Sequence, residues 1–264
     1  MKKERNTTTS RHCSRDRSLA NRGIERQKGN LLRTGILAIA ALFTGVFVFA
    51  WSPYAQGAES EDVALQPGRE LFAQKRFKEA EDFFEKAVAS SPDSAKALVA
   101  LAQVYNEESR YTKAIPLCDK VLTAHARDLE ALTARAHAYL KTKQLTRAQD
   151  DCNSALKIAP DFPQSHCLLA QIEAQQERYK EALADADRAI TLAPNSAEAL
   201  CTRAQICLKL EQYERALSDA DKAIKLDGQL AGAYYYRGRS YQELGRKKLA
   251  RQDLQKAKAL GFSG

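Results

Sequence analysis

Residues 197–230 read AEALCTRAQICLKLEQYERALSDADKAIKLDGQL. Leu200, Ala204, Cys207 and Leu208 recur at the spacing of one helical face. Tyr213, Ala216, Leu217, Ala220, Ala223 and Ile224 repeat that pattern further on. The stretch therefore predicts two amphipathic helices folded back on each other. Asn195-Ser196 ahead of it are turn and N-cap residues.

The hairpin is one of a series. Stepping by 34 residues gives Ala80, Ala114, Ala148, Ala182, Ala216 and Ala250. Twelve residues before each lie Gly68, Ala102, Ala136, Ala170, Ala204 and Gly238, and seven after each lie Ala87, Val121, Ala155, Ala189, Ala223 and Ala257. Small residues have a steric reason here: two helix axes approach closely only where no long side chain intervenes. Pro92, Pro160, Pro194 and Gly228 punctuate the unit ends, with Ala126 in the second unit. Six units, 61–94, 95–128, 129–162, 163–196, 197–230 and 231–264, fill residues 61–264 without insertion. Scarce Gly and Pro (12 and 7 in 264 residues) argue against an all-β sandwich, which needs many turns.

This pattern resembles the tetratricopeptide-repeat family, whose signature is a 34-residue helix pair with small, aromatic and proline positions in fixed order. Phe77, Tyr111, Tyr179 and Tyr213 hold the aromatic position opening the second helix, with Leu145 substituting. Tyr105, Tyr139 and Tyr241 hold the one late in the first helix, which Glu173 and Cys207 replace. The resemblance implies an all-α, right-handed superhelical solenoid of antiparallel helix pairs. Departures gather at the ends. Pro67-Gly68 is expected to delay the first helix, with Pro67 near its start. The last helix is polar, as a terminal repeat without a covering neighbour should be.

The family likeness further implies that first helices line a concave groove that receives a partner protein or peptide. In register, Arg69, Gln103, His137, Gln171, Gln205 and Arg239 form one row of that groove. Gln offers donor and acceptor to a partner backbone. Neighbouring rows run Val99, Thr133, Cys167, Cys201, Tyr235 and Ala134, Leu168, Thr202, Tyr236. Tyr235 and Tyr236 are the expected anchors, since Tyr is enriched at binding hot spots. The Lys, Asn and Arg clamp with which co-chaperone members hold an acidic tail is not expected, because apolar and small residues occupy its rows.

Charge is concentrated at the start. Residues 1–34 carry ten basic and three acidic residues, which is seven of the chain's eight net positive charges. The near-neutral remainder gives no reason to expect nucleic acid as a partner. The run at 35–51, GILAIAALFTGVFVFAW, is charge-free and at the short end of a bilayer span. It predicts either a membrane anchor or a signal segment cut after Ala55-x-Gly57, followed by a linker at 52–60. The basic arm places the N-terminus in the cytoplasm and the repeats on the exported side, as a single-pass protein or, after cleavage, a secreted periplasmic one. A mitochondrial targeting arm ranks lower, because the run shows no amphipathic periodicity.

No catalytic constellation emerges. Cys118 and Cys152 share one repeat position, and Cys167 and Cys201 another. Helix packing at ~8–10 Å separates such positions too far for a disulfide, so free buried thiols are expected. His12, His125, His137 and His166 lack metal-ligand spacing. Adjacent His166 and Cys167 diverge around a helix. Asp185, Asp219 and Asp221 read as solvated partners of nearby bases on second-helix surfaces. The expectation is a non-enzymatic scaffold without cofactor or metal, of undetermined oligomeric state. A small-ligand carrier or degenerate enzyme is the alternative of another class.

Overall fold

A computed structural model describes residues 53–262. The basic arm at 1–34 and the apolar stretch at 35–51 lie outside them, and among the described residues no helix is long and apolar enough to cross a membrane. The chain divides into two units, residues 1–64 and 65–264. Among the described residues all regular structure is helical. The twelve helices are α1 (Pro53–Ala73), α2 (Phe77–Ser90), α3 (Ala95–Glu107), α4 (Tyr111–Ala124), α5 (Leu129–Lys141), α6 (Leu145–Ile158), α7 (Pro163–Gln175), α8 (Tyr179–Leu192), α9 (Ala197–Lys209), α10 (Tyr213–Leu226), α11 (Ala231–Glu243) and α12 (Lys247–Ala259).

Two sequence expectations fail at the start of the array. The stretch expected to be a linker at 52–60 is helical from Pro53, and α1 runs through Pro67 instead of beginning there. Local propensity disfavours this, since proline removes a backbone donor. Burial overrides it. Leu65 and Gly68 are buried on either side of the exposed Pro67 ring, and Leu71 and Phe72 pack on the same core. A Cβ on Gly68 would lie 2.5 Å from the Phe83 ring and 2.7 Å from Phe84. The glycine thus permits the helix contact that holds α1 together.

From α3 onward, each first helix touches its own second helix and the second helix of the preceding pair, and consecutive first helices from α3 to α11 touch one another. The small-residue rows form these seams: Ala80, Ala102, Ala114, Ala136, Ala148, Ala170, Ala182, Ala204 and Ala216 have no exposed surface. First helices of the second, third and fifth repeats are capped by Ser94, Asp128 and Ser196, whose side chains accept from the backbone N–H of Ala97, Ala131 and Ala199. The fourth starts instead with Pro163 in its first turn. Between the two helices of each pair the chain turns through one left-handed residue: Lys75, Ser109, Lys143, Glu177, Glu211 and Gly245. The next N–H bonds back to a first-helix carbonyl, as Arg110 does to Tyr105 at 2.7 Å, closing the helix end.

A second set of contacts crosses the seams. Arg135 on α5 donates two hydrogen bonds to Asp151 on α6, at 2.8 and 2.7 Å, and one to Asp119 on α4 at 2.6 Å. Arg203 repeats this with Asp219 and Asp187, and Arg237 with Asp253 and Asp221. Each arginine therefore joins its own pair to the one before. The reading of Asp219 as a solvated helix-surface acid is corrected: its side chain is 2% exposed. Asp221 also pairs with another helix, not with a neighbouring base on its own. The planar guanidinium fork fits a carboxylate edge-on, so the slot favours Arg over Lys.

Breaking one such pair leaves a buried carboxylate uncompensated. Arg203→Ala is expected to lower stability by about 3 kcal/mol, read from urea-denaturation midpoints. The double change Arg203→Leu with Asp219→Leu should recover most of that loss, because no charge is then stranded.

Candidate functional site

The inner face of the array holds a cavity of about 490 Å³. Side chains from the first helices α3, α5, α7, α9 and α11 line it, joined by Ser109, Tyr111, Leu230 and Phe262 from the turns and the ends of flanking elements. Of the residues singled out from sequence, His137, Gln171, Gln205 and Tyr236 face this cavity. Arg69, Gln103, Arg239 and Tyr235 are not among its lining. Arg69 is exposed and Gln103 half-buried. Arg239 lies against its own helix, its guanidinium 3.5 Å from the Tyr235 hydroxyl and 3.7 Å from Glu243.

Two of the neighbouring rows turn inward more than the repeat register suggested. Val99 and Thr133 are 2% and 4% exposed, and Val99 packs with Leu98, Val121 and Ala131 in the core between helices. Cys201, Thr202 and Leu168 are also buried yet reach the cavity wall. Tyr235 stacks on Phe262 with ring centroids 4.6 Å apart, and Tyr236 meets both rings edge-on. Tyr235 is thus engaged within the chain, by an aromatic partner that the 34-residue periodicity does not mark.

Polar groups in the cavity are organised around Gln171. Its amide donates to Glu198 at 3.0 Å and to the Thr202 hydroxyl at 3.2 Å, with the Cys167 sulfur at 3.7 Å. Burial, reinforced by the charge of Lys141, pushes His137 down to about 4, so its ring is neutral near pH 7. Burial, and then the facing charge of Glu198, raise Glu107 above the ordinary carboxylate value. Asn106, 5% exposed, donates its amide to the Ala134 carbonyl at 2.8 Å, while its side-chain oxygen has no partner. The sequence reading passed over Asn106, Glu107 and Glu198, because they stand beside the row it followed.

The five cysteines among the described residues are free and buried. Burial pushes the Cys118, Cys167 and Cys201 thiols up to about 12, which leaves no thiolate at neutral pH. Among the described residues no group of His, Cys, Asp and Glu could hold a metal ion.

The fourth repeat departs from the third, fifth and sixth. Leu169 stands in the slot of the clamping arginines and Glu173 in that of the late tyrosine. Asp185 consequently takes the His166 ring, Nδ1 to Oδ1 at 2.8 Å, and the other ring nitrogen meets the Pro160 carbonyl at 3.0 Å. His166 and Cys167 do point to different partners. Glu173 is 7% exposed, lies 3.4 Å from Arg178, and keeps one oxygen without a hydrogen bond. Burial, followed by the nearby Asp185 charge, pushes it up to about 7 from an ordinary 4.5. Its stabilising contribution, that of the protonated form, is fully present below about 4.5 and is lost as pH rises through about 7. Glu173→Gln should therefore gain urea resistance relative to the unaltered chain between about pH 5 and pH 8, with the gap widest at the alkaline end.

Comparison with known families places repeat matches along the array. The Tetratricopeptide repeat description matches residues 65–128, 197–230 and 231–260, and that of Anaphase-promoting complex, cyclosome, subunit 3 matches 107–185. Among curated proteins none matches significantly. Solved structures share the fold. A tetratricopeptide repeat protein from Parabacteroides merdae is 19% identical with a TM-score of 0.61, over 90% of this chain and 92% of that one. A thermophilic one from Thermus thermophilus is 20% identical with a TM-score of 0.61, over 70% and 98%. The Cut9–Hcn1 hetero-tetramer of APC/C is 16% identical with a TM-score of 0.66, over 76% of this chain and 40% of that one.

Proposed function

The chain is a tetratricopeptide-repeat protein, and from that premise we propose that it is a non-catalytic scaffold holding a peptide or helix of a partner protein along its inner face. The observation that carries this reading is the cavity itself. It is continuous across five first helices, and its wall mixes apolar surface (Leu168, Tyr236) with side chains able to donate and accept (Gln171, Gln205, Thr202). Such a wall satisfies both the side chains and the backbone of an extended or helical segment. The chemistry argues against turnover as well: the buried thiols are protonated, and the cavity histidine is held far below neutral. With helix pairs occupying 65–262, binding is what this surface offers.

A photocrosslinker placed at Gln171 or Gln205 should capture the partner, while one at Lys225 on an exposed second-helix face should not. Mass spectrometry of the adducts reads the result. Capture only from Lys225 refutes the inner-face reading.

We propose also that residues 35–51 tether the protein to a membrane with the repeats on the exported side. Support comes from the charge-free apolar run behind a basic arm. Protease added to spheroplasts should digest the repeats, whereas intact cells should protect them, and without protease the full-length band should sediment with membranes. A soluble product about six kilodaltons shorter would show signal cleavage instead.

A further inference from the structure

The inner cavity is short of cations and rich in acceptors. Glu107 and Glu198 face it from α3 and α9, and the charge of Glu198 bears on Glu107. Among the described residues neither has a cation within ion-pair distance; Lys141 is the one basic side chain in the lining. His137 beside Lys141 is neutral. Lys75, whose charge also reaches Glu107, is bonded at 2.9 Å to Asp227.

A second observation is independent of those carboxylates. The Ala134 carbonyl can only accept, so the Asn106 amide nitrogen must face it. The amide oxygen is thereby left without a partner, in a residue that lines the cavity. A buried acceptor left open costs free energy until a donor reaches it. Gln171 adds to the set: its Nε2 is committed to Glu198 and Thr202.

We propose that Asn106, Glu107 and Glu198 form a subsite for the ammonium or guanidinium group of a lysine or arginine in the bound segment. The subsite rests on the inner-face reading and gives it a chemistry. A cation there compensates two carboxylates that otherwise repel, and its N–H groups supply the donor that Asn106 lacks. An acidic segment would bring a third negative charge to the same wall.

The test is selection of a random displayed peptide library on the full-length chain, with binding mapped by the crosslinker at Gln205. Groove-binding peptides should carry a Lys or Arg. Replacing that residue by norleucine or citrulline should weaken binding about tenfold, and Glu107→Gln or Glu198→Gln should do the same. Combining the peptide and protein changes should cost little more than either alone. Groove-binding peptides without a cation, or peptides indifferent to both glutamine variants, overturn the subsite and leave the inner-face reading standing. Peptides that crosslink only elsewhere, or no selected peptide at all, overturn both.

Discussion

Backbone proximity governs this molecule. Wherever two helices of a pair cross, the positions in contact are Ala or Gly, and Ala80 through Ala250 are 4% exposed or less. Close crossing makes each hairpin thin, and thin hairpins can stack with first helices side by side. A methyl group too many at Gly68 would meet the Phe83 and Phe84 rings, and one at Gly238 would come within 3.0 Å of Leu254 and 3.1 Å of Asp253. The continuous inner surface exists because these seams are narrow.

Polar clamps then fix what packing alone leaves adjustable. Small-residue seams are smooth and say little about how one pair is rotated on the next. A guanidinium held by carboxylates from two different pairs is directional, and Arg135, Arg203 and Arg237 each impose that geometry. The fourth repeat interrupts the run of clamps from the third repeat to the sixth. With Leu169 in place, Asp185 needs another partner and finds His166, while Glu173 fills the tyrosine slot beside it. Where the third, fifth and sixth repeats place a charged clamp, the fourth places a titrating carboxyl, Glu173, raised by burial.

How much of this could be read in advance depends on the range of each interaction. The Ala and Gly rows were legible because each repeats at one fixed interval, and the opening aromatics Phe77, Tyr111, Tyr179 and Tyr213 begin second helices as their register implied. The clamps were not, because Arg203 and its partners Asp187 and Asp219 sit sixteen residues apart on three helices. In the sequence they look like ordinary surface charges. The path of α1 through Pro67 was hidden for a related reason: its support comes from Phe83 and Phe84 on the next helix. Within the candidate site the glutamine and histidine row could be followed, but the open oxygen of Asn106 depends on a carbonyl one repeat away.

The Lys75–Asp227 contact ties together parts of the array that are far apart in sequence. It joins the turn after α1 to the end of α10, side chains 152 residues apart, so the rim of the array meets itself. Both groups remain open to solvent, at 53% and 32% of their side-chain surface, and dissolved salt screens such a pair. Raising ionic strength therefore loosens this tie between the turn after α1 and the end of α10, while the buried seams of small residues are left as they are.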